Sequence, residues 1–460
     1  MIMFYRTSKE IMIIISVLLL SACSNEDDNQ QCTAPDYNVD GTLTQYKSLH
    51  CYTPQDIHDA YQLNALYDMG LTGEGGQIVI IDSFGSPTAK EDLLMFHDTF
   101  FPEQLFPTFQ ALFPFGEPNN DDSWEIEVSL DIQWAHAIAP RANIDLIVLP
   151  DEENIYTEEA IAYIVEEYPA GTIVSMSFGD IESNYTALEI ENLEEAFQAG
   201  VMKGITFFAS TGDIGSSNGF SEKTVSYPAS SPFVTAVGGT FLQYGWSRSP
   251  TSNKPYLNSG DRNPNYFNIN PILTRLETVW NEPWVASSTG GGSSILFDIP
   301  KWQASVKETI YTNSGNGRGI PDLAWNAAVN GAGLIYTDGV WGIEGGTSAS
   351  VPQVAAFFVL INQYLAEQGM GYIGHLNPLL YQINDNTAYN DILPLSQGTV
   401  LAGEQQNNQT FTYLDDGTVV YGDVPGYPTT VGWDMTTGFG SPRGKHFLNA
   451  LVKVMSDDDN

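Results

Sequence analysis

The chain has 460 residues, 56 acidic against 17 basic, and a net charge of −39. That length can bury one large α/β core or several smaller ones. So acidic a surface lacks the basic stripe that phosphate contacts require, which excludes nucleic acid as an expected partner. A charge of this sign suits a well-solvated protein or one that works in acid, where many carboxyls are protonated.

Arg6 and Lys9 precede an apolar run over residues 11–20, which is short for a membrane span of about 20 residues, and Leu20-Ser21-Ala22-Cys23 follows. Residues 1–22 therefore read as a lipoprotein signal peptide, with cleavage before Cys23 and acylation of its thiol. The expected location is the outer membrane or cell surface of a Gram-negative-type bacterium, with the lipid anchor as the membrane contact. Residues 23–51 read as tether and linker, and 52–460 as the folded domain. Cys32 and Cys51 remain as an even pair in an oxidising compartment, so a disulfide between them is expected.

Apolar runs over residues 78–81, 144–149, 173–178, 206–210 and 233–237 read as buried strands. Helical patterns over 125–139, 157–168 and 187–202 alternate with them, which predicts an α/β fold with a mostly parallel central sheet and helices on both faces. Sites in such sheets gather beyond the carboxyl ends of the strands. Within 125–139, Glu127 and Asp131 are one turn apart on a face that Trp134 and Ile138 continue towards packed structure. In a partly buried cleft such a pair shares a proton and can accept one from a hydroxyl in acid; on a solvated face it is only surface charge. His136 has an apolar context and reads as a core residue rather than a base.

After the run 206–210, the loop Thr211-Gly212-Asp213-Ile214-Gly215 offers Asp213 either as a turn residue or, kept protonated, as a hydrogen-bond donor to a developing oxyanion. Residues 393–429 are polar and irregular, with a hairpin turn expected at 414–418. Gly345-Gly346-Thr347-Ser348 leads into Val354, Ala355, Phe358, Ile361 and Leu365 at helical spacing, so Ser348 is expected at a helix N-terminus among unpaired N–H groups. Its hydroxyl is a nucleophile if a base lies nearby. Thr347 or Ser348 is otherwise a helix cap.

The stretch from Glu127 through Asp131 to Pro140, Ser210-Thr211-Gly212-Asp213 and Gly346-Thr347-Ser348 resemble, in order, the motifs of the sedolisin family of serine-carboxyl peptidases. Thr289-Gly290-Gly291-Gly292-Ser293, Pro300-Lys301-Trp302-Gln303 and Gly317-Arg318-Gly319-Ile320-Pro321-Asp322 extend the likeness from about Tyr52 onward. The resemblance implies a subtilisin-like fold and an acid-active endopeptidase or tripeptidyl-peptidase taking peptide or protein substrates. Ser348 would be its nucleophile, Glu127 the base, Asp131 the orienting acid and Asp213 the oxyanion donor. It implies further that Asp82 extends the carboxyl chain behind Asp131, and that substrate lies as an added strand along Ser175, Ser177, Phe178 and Gly179. Phe178 stands where many relatives have Trp. One structural Ca²⁺ is implied, held by Asp391, Ile392, Thr430, Gly432 and Asp434 through carboxylates and backbone carbonyls.

A monomer is expected. Family members usually carry a large N-terminal activation domain, and only a short segment separates Cys23 from Tyr52, so the expectation is either folding without such a domain or control by pH, calcium or a partner. Two other functions compete: a surface lipoprotein that binds peptide or glycan without cleaving it, and a subtilisin-type enzyme using Asp82, His136 and Ser348.

Overall fold

The computed structural model of the chain describes residues 31–37, 43–118, 122–244, 275–282, 285–393, 407–409, 411–413, 419–421 and 424–458. The segment expected to be linker contains two strands, β1 (Gln31–Tyr37) and β2 (Leu43–Tyr52), paired antiparallel. The end of β2 pairs in turn with Ala332 and Gly333, a long-range partner that local sequence does not reveal.

The five apolar runs become β3 (Gln77–Ser83), β5 (Asn143–Leu149), β6 (Ile173–Met176), β7 (Thr206–Ser210) and β8 (Val234–Tyr244), while β4 (Phe109–Leu112) is a strand that no apolar run marked. With β9 (Arg275–Val279) they form one sheet in the order β9-β8-β7-β6-β3-β5-β4, and β10 (Leu323–Asn326) pairs alongside β8. Every pairing is parallel except β8 with β9. Successive side chains of a strand point to opposite faces. Ile78 and Ile80 accordingly enter one apolar cluster, and Val79 and Ile81 the other.

The first face is covered by α2 (Asp122–Ile138) and α5 (Thr347–Glu367), with α1 (Ala89–Phe100) packed outside α2; the second is covered by α3 (Asn154–Glu167) and α4 (Ala187–Lys203). Helix α4 begins at a capping box, in which the Glu189 N–H donates to Thr186 Oγ1 at 3.3 Å and the Thr186 N–H to Glu189 Oε2 at 2.6 Å. It ends at Gly204, whose φ of 94° is left-handed. Among the described residues α5 is the one helix long and apolar enough to cross a membrane, and it lies buried in the core. Helix α2 is held against α5 and against β11 (Ala332–Thr337), where the Gln133 amide bonds both backbone groups of Tyr336 at 2.6 and 2.8 Å. Near the C-terminus, Phe411–Tyr413 pairs with Val419–Tyr421; the turn expected between them lies outside the described residues.

Candidate active site

Three neighbouring strands run in parallel to one edge, and chemistry-bearing residues collect there. Asp82 stands at the end of β3, Ser177 follows β6 and Asp213 follows β7. The N-terminus of α5 meets them. Gly346 occupies its N-cap position with a φ of 116° and no side-chain cap, so neither Thr347 nor Ser348 caps the helix. Ser348 is the second helical residue, where a backbone N–H has no acceptor within the helix. Its hydroxyl, partly exposed, donates to the Ser177 carbonyl at 3.2 Å. Pro352 has no N–H to donate to the Ser348 carbonyl four residues before it. The Ser177 hydroxyl approaches that carbonyl instead, at 3.5 Å.

Helix α2 brings two carboxyls, Glu127 and Asp131, to the same place, and the end of β3 brings a third, Asp82. Glu127 is 3% exposed, and Asp131 and Asp82 are fully buried. Both oxygens of Asp82 and Asp131, and Glu127 Oε1, have no hydrogen-bond partner of ordinary geometry among the described residues. Burial pushes Glu127 up to about 8; a hydrogen bond with the Ser348 hydroxyl draws it back, and the charge of Asp213 adds to the rise. Asp131 is held well above the carboxylate range by burial first, then by Asp82 and Glu127, with Ser177 opposing. Asp82 is raised by burial and then by Glu127. Like charges this close cannot all be ionised, so the three share protons.

Asp213 sits across from them on a loop pinned by the glycine-rich stretch. The Ser288 N–H donates to its carbonyl at 2.8 Å and the Gly290 N–H to that of Gly212 at 2.7 Å. A side chain at Gly290 would come within 1.9 Å of the Thr211 carbonyl oxygen, so only glycine fits there. Asp213 Oδ1 accepts from the Thr347 N–H at 2.8 Å and from the Thr347 hydroxyl at 2.7 Å. Burial pushes its carboxyl up to about 6 against the pull of those two donors. Beside it opens a pocket walled by Gly179, Ile181, Ile214, Asn218 and Phe220.

Sequence reading passed over Thr347 because a threonine before a helical run reads as a cap. Its position next to both Gly346 and Ser348 was the available signal. Phe220 and Asn218 were also missed; the Gly-Ser-rich run after Asp213 marks the loop that carries them.

His136 follows Glu127 by nine residues, about 13.5 Å along the helix. It is fully buried, bonded through Nε2 to His97 Nδ1 at 3.0 Å, and packed on Phe101. An imidazole there does not serve Ser348, which corrects the Asp82, His136, Ser348 alternative. The substrate strand also narrows. Ser175 lies inside β6, paired on one side with Ile80 and on the other with Phe208, and offers no free edge. Ser177, Phe178 and Gly179 lie beyond the paired stretch. Asp391 and the loop carrying Thr430, Gly432 and Asp434 do meet, since the Gly432 N–H donates to Asp391 Oδ2 at 2.8 Å. Cys23 and the Cys32 side chain lie outside the described residues, and with them the lipidation and disulfide expectations.

Fold and site together define a subtilisin-like α/β protein in which carboxyls, not imidazole, surround a serine at a helix N-terminus. A family model described as the subtilase family matches residues 116–375, and the chain belongs to that family and, within it, to the sedolisins its motifs resemble. Kumamolisin of Bacillus sp. (strain MN-32) is 31% identical over 413 residues, which cover 88% of this chain and 64% of that protein. Tripeptidyl-peptidase 1 of Homo sapiens is 25% identical over 349 residues, covering 71% and 52%. The chain thus spans about half to two thirds of the length of the curated relatives it matches. Among solved structures, Pseudomonas sedolisin (serine-carboxyl proteinase), complexed with two molecules of pseudo-iodotyrostatin, shares the fold. Its TM-score is 0.66 at 22% identity, over 89% of this chain and 98% of that one.

Proposed function

We propose that the protein is an acid-active serine-carboxyl peptidase. The observation that carries this is a partly exposed serine hydroxyl against a buried carboxyl whose affinity for protons is raised, with a second raised carboxyl, Asp213, on the adjoining strand end. Ser348 Oγ attacks the peptide carbonyl carbon while its proton passes to Glu127 in the state of the coupled group in which Asp131 and Asp82 hold the protons and Glu127 is ionised. The carbonyl oxygen becomes negative and is met by the Ser348 N–H and the protonated Asp213 carboxyl. Glu127 then gives its proton to the departing amine, and water releases the acyl group by the same steps in reverse. The substrate main chain lies along Ser177 to Gly179, and the side chain preceding the cut bond enters the pocket beside Asp213.

Ca²⁺ belongs to this reading as a structural ion. Asp391 Oδ1 is buried without a partner, and the carbonyls of Ile392, Thr430 and Gly432 accept no backbone hydrogen bond among the described residues. Thr430 keeps a negative φ, so its carbonyl can turn as a glycine's would. Asp434 Oδ1 is filled by Thr436 and Thr437, which leaves Oδ2, bonded by the Thr430 N–H at 2.9 Å, as its oxygen for a cation. Such an all-oxygen set is what Ca²⁺ prefers. Chelation should lower the melting temperature, and added Ca²⁺ should restore it in the native chain but not in Asp391→Asn. The signal peptide and the Cys23 anchor complete the reading as an exported, membrane-held lipoprotein acting as a monomer, supported by sequence alone.

The test is incubation with a peptide library from acid to neutral pH, beside Ser348→Ala. Hydrolysis should fall as pH rises past about 6, where Asp213 loses its proton, and Ser348→Ala should abolish it. Fragment masses distinguish tripeptide release from internal cleavage. A native chain that binds peptides and cleaves none would replace this reading with the binding one.

A further inference from the structure

We infer that Thr347 is a positioning residue that decides which oxygen of Asp213 carries the proton offered to substrate. Oδ1 is filled from two directions, by the Thr347 N–H at 2.8 Å and the Thr347 hydroxyl at 2.7 Å. The same hydroxyl oxygen accepts from the Gly212 N–H at 3.2 Å, so its own proton is directed to Asp213 rather than elsewhere. Oδ2 receives no donor among the described residues and, unlike the sealed carboxyl oxygens of Asp82 and Asp131, is not walled off from the pocket that Asp213 lines. The backbone preserves room around it. A side chain at Gly346 would stand 2.6 Å from Oδ2, and the φ of 116° there is one that L side chains rarely adopt.

A carboxylic acid places its proton on the oxygen that is not already accepting, because a proton on Oδ1 would confront two N–H and O–H donors. The acid proton therefore sits on Oδ2, on the side that faces the reacting carbonyl. Without the clamp the carboxyl can rotate and present either oxygen, and the donor is no longer fixed where charge develops. Thr347 reaches this role from the first turn of the helix that carries the nucleophile, so serine and oxyanion donor are set in register by one element.

The inference rests on the peptidase reading for its catalytic consequence but not for its geometry, and two measurements separate them. The first is titration of the Asp213 carboxyl by carbon NMR in a Ser348→Ala background, with Asp213→Asn identifying the signal. Both Thr347 donors favour the charged carboxylate, so Thr347→Val should raise the Asp213 titration point and Thr347→Ser should leave it in place. The second is turnover. Thr347→Val should lower kcat by about 10²-fold, the scale of one lost oxyanion donor, with KM little changed and the alkaline limb of the pH profile moved upward. Thr347→Ser, which keeps the hydroxyl and loses only a methyl, should restore both. An Asp213 titration point unmoved by Thr347→Val, or a Thr347→Ser chain as impaired as Thr347→Val, would overturn the inference. A moved titration point in a chain without peptidase activity would uphold the clamp and reject the peptidase.

Discussion

Helix α2 carries two buried titratable clusters, and burial acts on them in opposite senses. Towards its C-terminal end, burial and then the neighbouring His97 lower the His136 imidazole to about 3, so the ring stays neutral through most of the acid range. A neutral imidazole has one donor and one acceptor, and His136, His97 and the Gln104 carbonyl form a chain at 3.0 and 3.1 Å. Towards its N-terminal half, burial raises Glu127 and Asp131 together with Asp82. Carboxylates cannot satisfy one another without a proton between them. The histidine end is packing, whereas the carboxyl end must hold protons in acid and exchange them when a nearby charge changes. The proposed base, Glu127, is singled out by its position at the carboxyl edge of the sheet rather than by residue type.

The largest effect that could break this contrast is on turnover. Glu127→Gln should lower kcat by about 10²- to 10⁴-fold in a folded chain. His136→Leu should leave kcat within a few-fold and instead cost about 1–3 kcal/mol of stability, because His97 Nδ1 loses its buried partner. Peptide hydrolysis and denaturant melts of the two variants check this, and the reverse ranking would put the base in the wrong cluster.

A smaller effect sharpens the carboxyl side. Asp82 has a folded pKa raised above its unfolded value, so the native chain binds more protons than the unfolded one from about pH 3.9 upward. Stability is then lost as pH rises through that window, by at most about 1.4 kcal/mol per pH unit for one proton. Asp82→Asn removes the term. Its melting temperature should gain on that of the native chain from acid towards neutral pH, with the gain fading near the unfolded pKa. Parallel melting curves would mean that Asp82 is not held protonated.

The apolar runs made most of the sheet legible, because a strand buried on both faces must be almost wholly apolar. Phe178 was read into its strand and lies outside it, since β6 ends where pairing with β3 and β7 ends and not where hydrophobicity does. The hairpin β1–β2 was read as linker for the converse reason: its last residues are held by Ala332 and Gly333, far along the chain. At the site, the spacing of Glu127 and Asp131 was readable because a helix puts them on one face. The link to Asp82 was not, since it depends on which strand lies beneath that face.

By itself the sequence determined the periodicities, and therefore the layers, the serine at a helix start and the pairing of two acids on one helical face. Tertiary structure alone decided that those acids are sealed with a third, that His136 turns towards His97 instead of Ser348, and that Thr347 holds Asp213 rather than capping its own helix. The physical reason is that local spacing fixes direction along one element. Proton affinity and hydrogen-bond choice depend on burial and on partners that other elements supply.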